Sequence, residues 1–169
     1  MYSSNSPLNW IVEEAILDED GELAPDIKAY MFYGEPGVYI EIRRGATGDG
    51  KVEHSVYDAK CNKMEFSPHY SPWEGRGVPN GLTELAQRIS IHAPVPFLRI
   101  DFLAGAEGSV LGEITPHPGG TYAGDLYDDV DKELGKLFLD AQARLAIDLL
   151  EGKTFDDYFA VYPSPARRR

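Results

Sequence analysis

The stretch Phe97-Leu98-Arg99-Ile100-Asp101-Phe102, then Gly105-Ala106-Glu107-Gly108, then Val110-Leu111-Gly112-Glu113-Ile114 reads as a strand, a turn and a return strand. Arg99 and Asp101 are two residues apart, so they project from one face of their strand. Glu113 lies on the returning strand, where its carboxylate can approach that of Asp101. Two converging carboxylates repel unless a cation or a shared proton intervenes. Oxygen-only ligands of this kind suit Mg2+, which keeps several waters and completes its shell with nucleotide phosphates. Arg99 beside them is placed to hold a phosphate or a developing oxyanion. The alternative is that these charges form the solvated outer face of an exposed hairpin.

An earlier hairpin offers a second set. Ile27, Ala29, Met31 and Tyr33 alternate with Lys28, Tyr30 and Phe32, a strand with both faces engaged. Gly34-Glu35-Pro36-Gly37 reads as a turn, after which Val38, Ile40 and Ile42 alternate with Tyr39, Glu41 and Arg43. Lys28 and Arg43 are cations on neighbouring strands and each can reach a phosphate, unless Asp26 pairs Lys28 or the face is simply solvated.

Further upstream, Ile11-Val12 and Ala15-Ile16-Leu17 flank Glu13-Glu14 and read as a strand entering a loop; Asp18-Glu19-Asp20-Gly21 is turn chemistry. From Gly45 to about Val78 the pattern is poor, with Val56-Tyr57-Asp58 and residues 63–66 as short strands. The spacing predicts helices over 79–92 and 131–150, the second with Leu134, Leu137, Phe138, Ala141, Leu145 and Leu149 on its apolar side. Thr115-Pro116-His117-Pro118-Gly119-Gly120 excludes regular structure. Strands in adjacent pairs with helices following indicate an α+β fold: an antiparallel sheet with helices packed on one face.

The 169 residues fit one domain, expected over 10–160 between an N-terminal tail (1–9) and a basic tail (161–169) that ends in Arg167-Arg168-Arg169. An apolar share of 43% excludes disorder of the whole chain. The net charge of -12 argues against duplex nucleic acid and anionic lipid as partners. No apolar run approaches the roughly 20 residues of a membrane span, and the N-terminus lacks the features of a signal peptide. One cysteine, Cys61, permits no internal disulfide, which suits the cytoplasm. His54, His69, His92 and Cys61 have no zinc-ligand spacing. No Gly-x-Ser-x-Gly elbow, Walker loop or dinucleotide fingerprint occurs. His117, between prolines, is either a base or substrate contact or a solvated side chain.

Taken in order, Ile11-Val12-Glu13-Glu14, Asp26-Ile27-Lys28-Ala29-Tyr30-Met31-Phe32-Tyr33-Gly34, Pro96-Phe97-Leu98-Arg99-Ile100-Asp101-Phe102 and Leu111-Gly112-Glu113-Ile114-Thr115-Pro116-His117-Pro118-Gly119-Gly120 resemble the C-terminal half of the ATP-grasp family. The TupA-like branch, linked to teichuronopeptide and cell-surface polysaccharide biosynthesis, is the nearest likeness. The resemblance covers roughly residues 10 to 140. It implies that Glu13 holds the adenine amino group, that the backbone at Ala15 and Ile16 reads the adenine edge, and that Asp20 or a neighbour binds the ribose. It implies that Lys28 contacts phosphate, with Arg43 or Arg44 assisting, and that Arg99 stabilises the transferring phosphate or an acyl phosphate. Asp101 and Glu113 would hold Mg2+ between the phosphates of ATP.

Family chemistry is ATP-dependent joining of a carboxylate to an amine, with a small molecule or glycan as substrate. Thr115 stands where many ATP-grasp enzymes carry Asn, two residues after the metal-binding Glu. Met1 lies only nine residues before Trp10. The family's N-terminal portion, with another phosphate-binding Lys and a mobile Gly-rich loop, is therefore not expected here. The expectation is a fragment of a longer ligase, a half-domain completed by a partner chain or second copy, or a non-catalytic binding or assembly module that keeps the fold. A cation-binding module without nucleotide is a further reading.

Overall fold

The computed structural model describes residues 13–44, 52–118 and 125–156. Strands β1 (Asp26–Phe32), β2 (Glu35–Arg44), β3 (Val52–Asp58) and the short β4 (Lys63–Met64) come first. Helix α1 (Leu82–Ile91) precedes the hairpin of β5 (Leu98–Gly105) and β6 (Gly108–Thr115), and α2 (Asp128–Leu150) closes the described chain. The strands form one six-stranded sheet in the order β4-β3-β2-β1-β5-β6, antiparallel at every pairing. The α+β class and the antiparallel sheet are as the sequence indicates.

Register assigns the faces, because residues opposite one another on antiparallel strands share a side. Ala29 lies opposite Tyr39 and Ile100, and Ile27 opposite Phe102. This face packs on α1 through Leu82 and Ala86. Alternation sends Lys28, Tyr30 and Phe32 to the other side. There Phe32, Val38 and Ile40 form clusters with Val130, Ala141 and Leu145 of α2. The two helices therefore lie on opposite faces, not together on one. The cause is visible in β1, whose apolar residues fall on both sides and each need cover.

Local differences have local reasons. The first turn is Tyr33-Gly34, with φ of 45° and 89°, the left-handed pair that a two-residue hairpin needs. Pro36 therefore sits inside β2, opposite Met31 and next to a bulge, and outside the Val38–Arg44 stretch that pairs with β3. The Tyr33 hydroxyl donates to Asp148 Oδ2 at 2.7 Å and accepts from Lys153 Nζ at 2.7 Å, tying the hairpin tip to the end of α2.

The early segment forms no strand among the described residues, only the bridge Leu17↔Leu23. Strand β3 begins at Val52, although Glu53, His54 and Ser55 obscure its alternation, and the 63–66 strand shrinks to β4. Helix α1 starts after Gly81, whose φ is 77°. Helix α2 starts at Asp128, where Asp128, Asp129 and Asp131 favour the positive end of the helix dipole. Ile11, Val12, Gly119, Gly120 and both expected tails lie outside the described residues.

Candidate functional site

Four charged side chains meet on the α2-facing side of the sheet. The pairings Lys28↔Asp101 and Asp101↔Glu113 put them in one row across β1, β5 and β6. Arg99 lies opposite Thr115, one step along. Lys28 Nζ donates to Asp101 Oδ2 at 2.5 Å. Arg99 grips Asp101 with both arms, Nε to Oδ1 at 2.8 Å and Nη2 to Oδ2 at 2.9 Å. The same Nη2 lies 3.7 Å from Glu113 Oε2. The Thr115 hydroxyl donates to Glu113 Oε1 at 2.9 Å and accepts from Arg99 Nη2 at 3.4 Å.

The row is graded in exposure. The Asp101 side chain is 10% exposed and that of Glu113 63%, so the pair has one anchored and one open carboxylate. Burial weakens the hold of Arg99 on its proton, but the hydrogen bonds and charge of Asp101 outweigh it and leave its pKa above the ordinary value. Arg99 is a permanent cation fixed in place by Asp101.

The donor set fits Mg2+. Asp101 and Glu113 offer oxygen alone, and Asp101 Oδ1 accepts from Arg99 Nε alone among the hydrogen bonds of the described residues, leaving a lone pair. No third His, Cys, Asp or Glu joins them among the described residues, so waters and phosphate oxygens would complete the shell, as Mg2+ prefers.

A cavity of about 680 Å3 opens next to this row, within the roughly 300–1,000 Å3 usual for small-molecule sites. Its walls include Glu13, Ala15, Ile16, Leu23, Asp26, Leu103 and Leu111. Asp26 precedes Lys28 by two residues on β1, so the Asp26 edge of the cavity and the charged row are about 7 Å apart. Leu23, Val110 and Leu111 are 73%, 42% and 47% exposed, an apolar rim suited to a planar ring. Gly105 lets the wall close in, since a Cβ there would come within 2.7 Å of Ile16 Cγ2.

Not every candidate converges. Asp20 does not line the cavity: its carboxylate takes Arg76 Nη2 at 2.5 Å. Arg43 borders the cavity. It follows Ile42, however, and alternation sends its guanidinium away from Lys28, to 5.5 Å from the Trp73 ring centroid. His117 is exposed.

Two residues the sequence reading passed over are central. Glu41 is fully buried at 0% exposure and accepts from the Arg76 and Gly77 amides and the Tyr57 hydroxyl. Arg76 reaches from that anchor to Asp18 and Asp20. A signal was present: Glu41 stands at an inward position in the alternation of β2, and Gly75-Arg76-Gly77 marks a close backbone approach.

The sequence model of the TupA-like ATP-grasp family matches residues 1–139. Among solved structures, the ATP-grasp ligase PsnB, complexed with a phosphomimetic variant of minimal precursor, Mg and ADP, is 11% identical. The match has a TM-score of 0.41 and covers 68% of this chain and 33% of that one. D-alanine--D-alanine ligase from Bacillus anthracis, complexed with ATP, is 17% identical with a TM-score of 0.42, over 75% of this chain and 39% of its own. The chain thus spans well under half the length of either structure. No curated protein matches it.

Proposed function

The chain belongs to the TupA-like ATP-grasp family, and from that premise we propose that the α2-facing side of its sheet binds ATP with Mg2+. We place it in ATP-dependent joining of a carboxylate to an amine during cell-surface polysaccharide or peptide synthesis in the cytoplasm. The observation that carries the reading is the row Lys28, Asp101, Glu113, with Arg99 beside it, next to an apolar-rimmed cavity that reaches Asp26 on the same strand.

In this reading the base enters the cavity at Glu13, Ala15 and Ile16, and the phosphates lie over the charged row. Mg2+ held by Asp101 and Glu113 would offset phosphate charge. Lys28 transfers one of its hydrogen bonds from Asp101 to a phosphate oxygen. Arg99, kept rigid by Asp101, faces the charge that develops on the transferring group. Thr115 fixes the rotamer of Glu113. The contribution of the chain is alignment and charge neutralisation, with no covalent role for its side chains.

One observation favours a second reading, a non-catalytic module that keeps the fold: Asp101 is already neutralised by Lys28 and Arg99 within the chain. Thermal unfolding separates the two. ATP with Mg2+ raises the melting temperature if the native state binds it, and Asp101→Asn abolishes the rise. A melting temperature indifferent to millimolar ATP and Mg2+ supports the module instead. No helix among the described residues is long and apolar enough to cross a membrane.

A further inference from the structure

The cavity wall formed by residues 15–24 is held from outside the charged row. Asp18 Oδ1 accepts the amides of Asp20 and Glu22 at 2.9 and 3.0 Å, and Ala24 N–H returns to Ile16 O at 3.0 Å. These bonds make the segment a compact turn, whose Ile16, Leu23 and Ala24 face the cavity. On one side it is tied to the β5–β6 hairpin by Ala106 N–H to Leu17 O at 2.9 Å.

On the other side stands Arg76. Its Nη2 donates to Asp20 Oδ2 at 2.5 Å and lies 3.1 Å from Asp18 Oδ2. The Asp18 side chain is only 5% exposed, so without a cation it would be a nearly buried charge facing a second carboxylate. Arg76 is itself not free to drift. Its amide donates to Glu41 Oε1 at 3.1 Å, and the next amide, Gly77, donates to Glu41 Oε2 at 3.3 Å and to Tyr57 Oη at 3.0 Å. Glu41 lies on the α1-facing side, opposite Ile27. A buried anchor on the α1-facing side of the sheet thus fixes a cation that holds one wall of the cavity.

We infer that Arg76 is a positioning residue: it latches the 15–24 turn as the nucleoside-side wall of the cavity, and it governs affinity for the nucleoside without touching the phosphates. The inference rests on the nucleotide reading above. It predicts a split that loss of general stability would not produce, because the phosphate row has its own supports in β1, β5 and β6.

The test is calorimetry on the full chain with two probes, MgATP and magnesium tripolyphosphate, the second offering phosphate charge without a nucleoside. Arg76→Ala is expected to weaken MgATP by about tenfold and leave tripolyphosphate within about twofold of the wild type. Arg76→Lys, which keeps the charge on a shorter side chain than the one whose Nη2 reaches both carboxylates, is expected to fall between. Should Arg76→Ala fold poorly, Asp20→Ala removes one arm at a side chain that is 73% exposed and is expected to cost MgATP about threefold, again sparing tripolyphosphate. Equal loss for both probes, or no loss for MgATP, overturns the inference while leaving the nucleotide reading in place. A wild-type chain that fails to bind MgATP overturns both.

Discussion

Replacing Gly75 by alanine would put a methyl carbon 2.1 Å from Glu41 Oε2, 2.4 Å from Tyr57 Oη and 2.6 Å from Ser55 Cβ. None of these neighbours can retreat cheaply, since Glu41 and Ser55 are 0% and 1% exposed and Tyr57 is 6% exposed. Forcing extra volume into such packing costs about 1–3 kcal/mol. The displaced carboxylate also loses donors that it needs, at about 1.5–3 kcal/mol for a hydrogen bond to a charged group. The sum is about 2.5–6 kcal/mol. At roughly 2–4 °C per kcal/mol for a domain of this size, the melting temperature should fall by about 10 °C. Circular dichroism on heating, with urea unfolding alongside, reads the change. A double-mutant cycle sharpens it: Gly75→Ala should cost less on the Glu41→Ala background than on the wild type, because the contact with Glu41 is gone and those with Tyr57 and Ser55 remain. A fall of less than about 2 °C, or strict additivity, would refute the buried anchor.

Other outcomes follow from single residues. Phe102→Ala empties a fully buried site beneath α1 and should cost about 3–5 kcal/mol in urea unfolding, with the sheet otherwise intact. Burial pushes the His54 imidazole pKa below its ordinary value. The unfolded chain then takes up a proton at about 6.5 while the folded chain resists it. The stability contribution is fully present above that value and is lost as the pH falls from there toward the folded-state value. The melting temperature of His54→Gln should therefore fall less than that of the wild type between neutral and mildly acidic pH; parallel falls would remove His54 as the cause.

The hairpins were legible because their alternation is strong: Ile27, Ala29 and Met31 against Lys28, Tyr30 and Phe32 give both the strand and its two covered faces. The same residues imply a helix on each side, a consequence that pair order alone hides, since the order of elements says nothing of which face a helix takes. The turn after β1 was misplaced because Pro36 and Gly37 are stronger turn signals than Tyr33, which adopts a left-handed φ under the hold of Asp148 and Lys153. The convergence of Asp101 and Glu113 followed from hairpin geometry, because a short turn fixes register. Lys28 joins them through the separate pairing of β1 with β5, a long-range contact that no short turn sets. Asp20 and the guanidinium of Arg43, which still borders the cavity, turn to tertiary contacts, Arg76 and the Trp73 ring, that no local pattern carries. The Glu41–Arg76 anchor joins residues 35 apart in the chain, and only the packed structure brings it together.

In the proposed function, one face of the sheet gathers Lys28, Asp101 and Glu113 into a site for magnesium and nucleotide together. Titration calorimetry of the wild type and Glu113→Gln with ATP, in the presence and absence of Mg2+, tests it most directly. Because the Glu113 side chain is 63% exposed, the substitution spares the fold. The wild type should show saturable, Mg2+-dependent binding that weakens by about tenfold or more in Glu113→Gln. Binding that ignores Mg2+ and the substitution alike, or no heat at millimolar ATP, would contradict it.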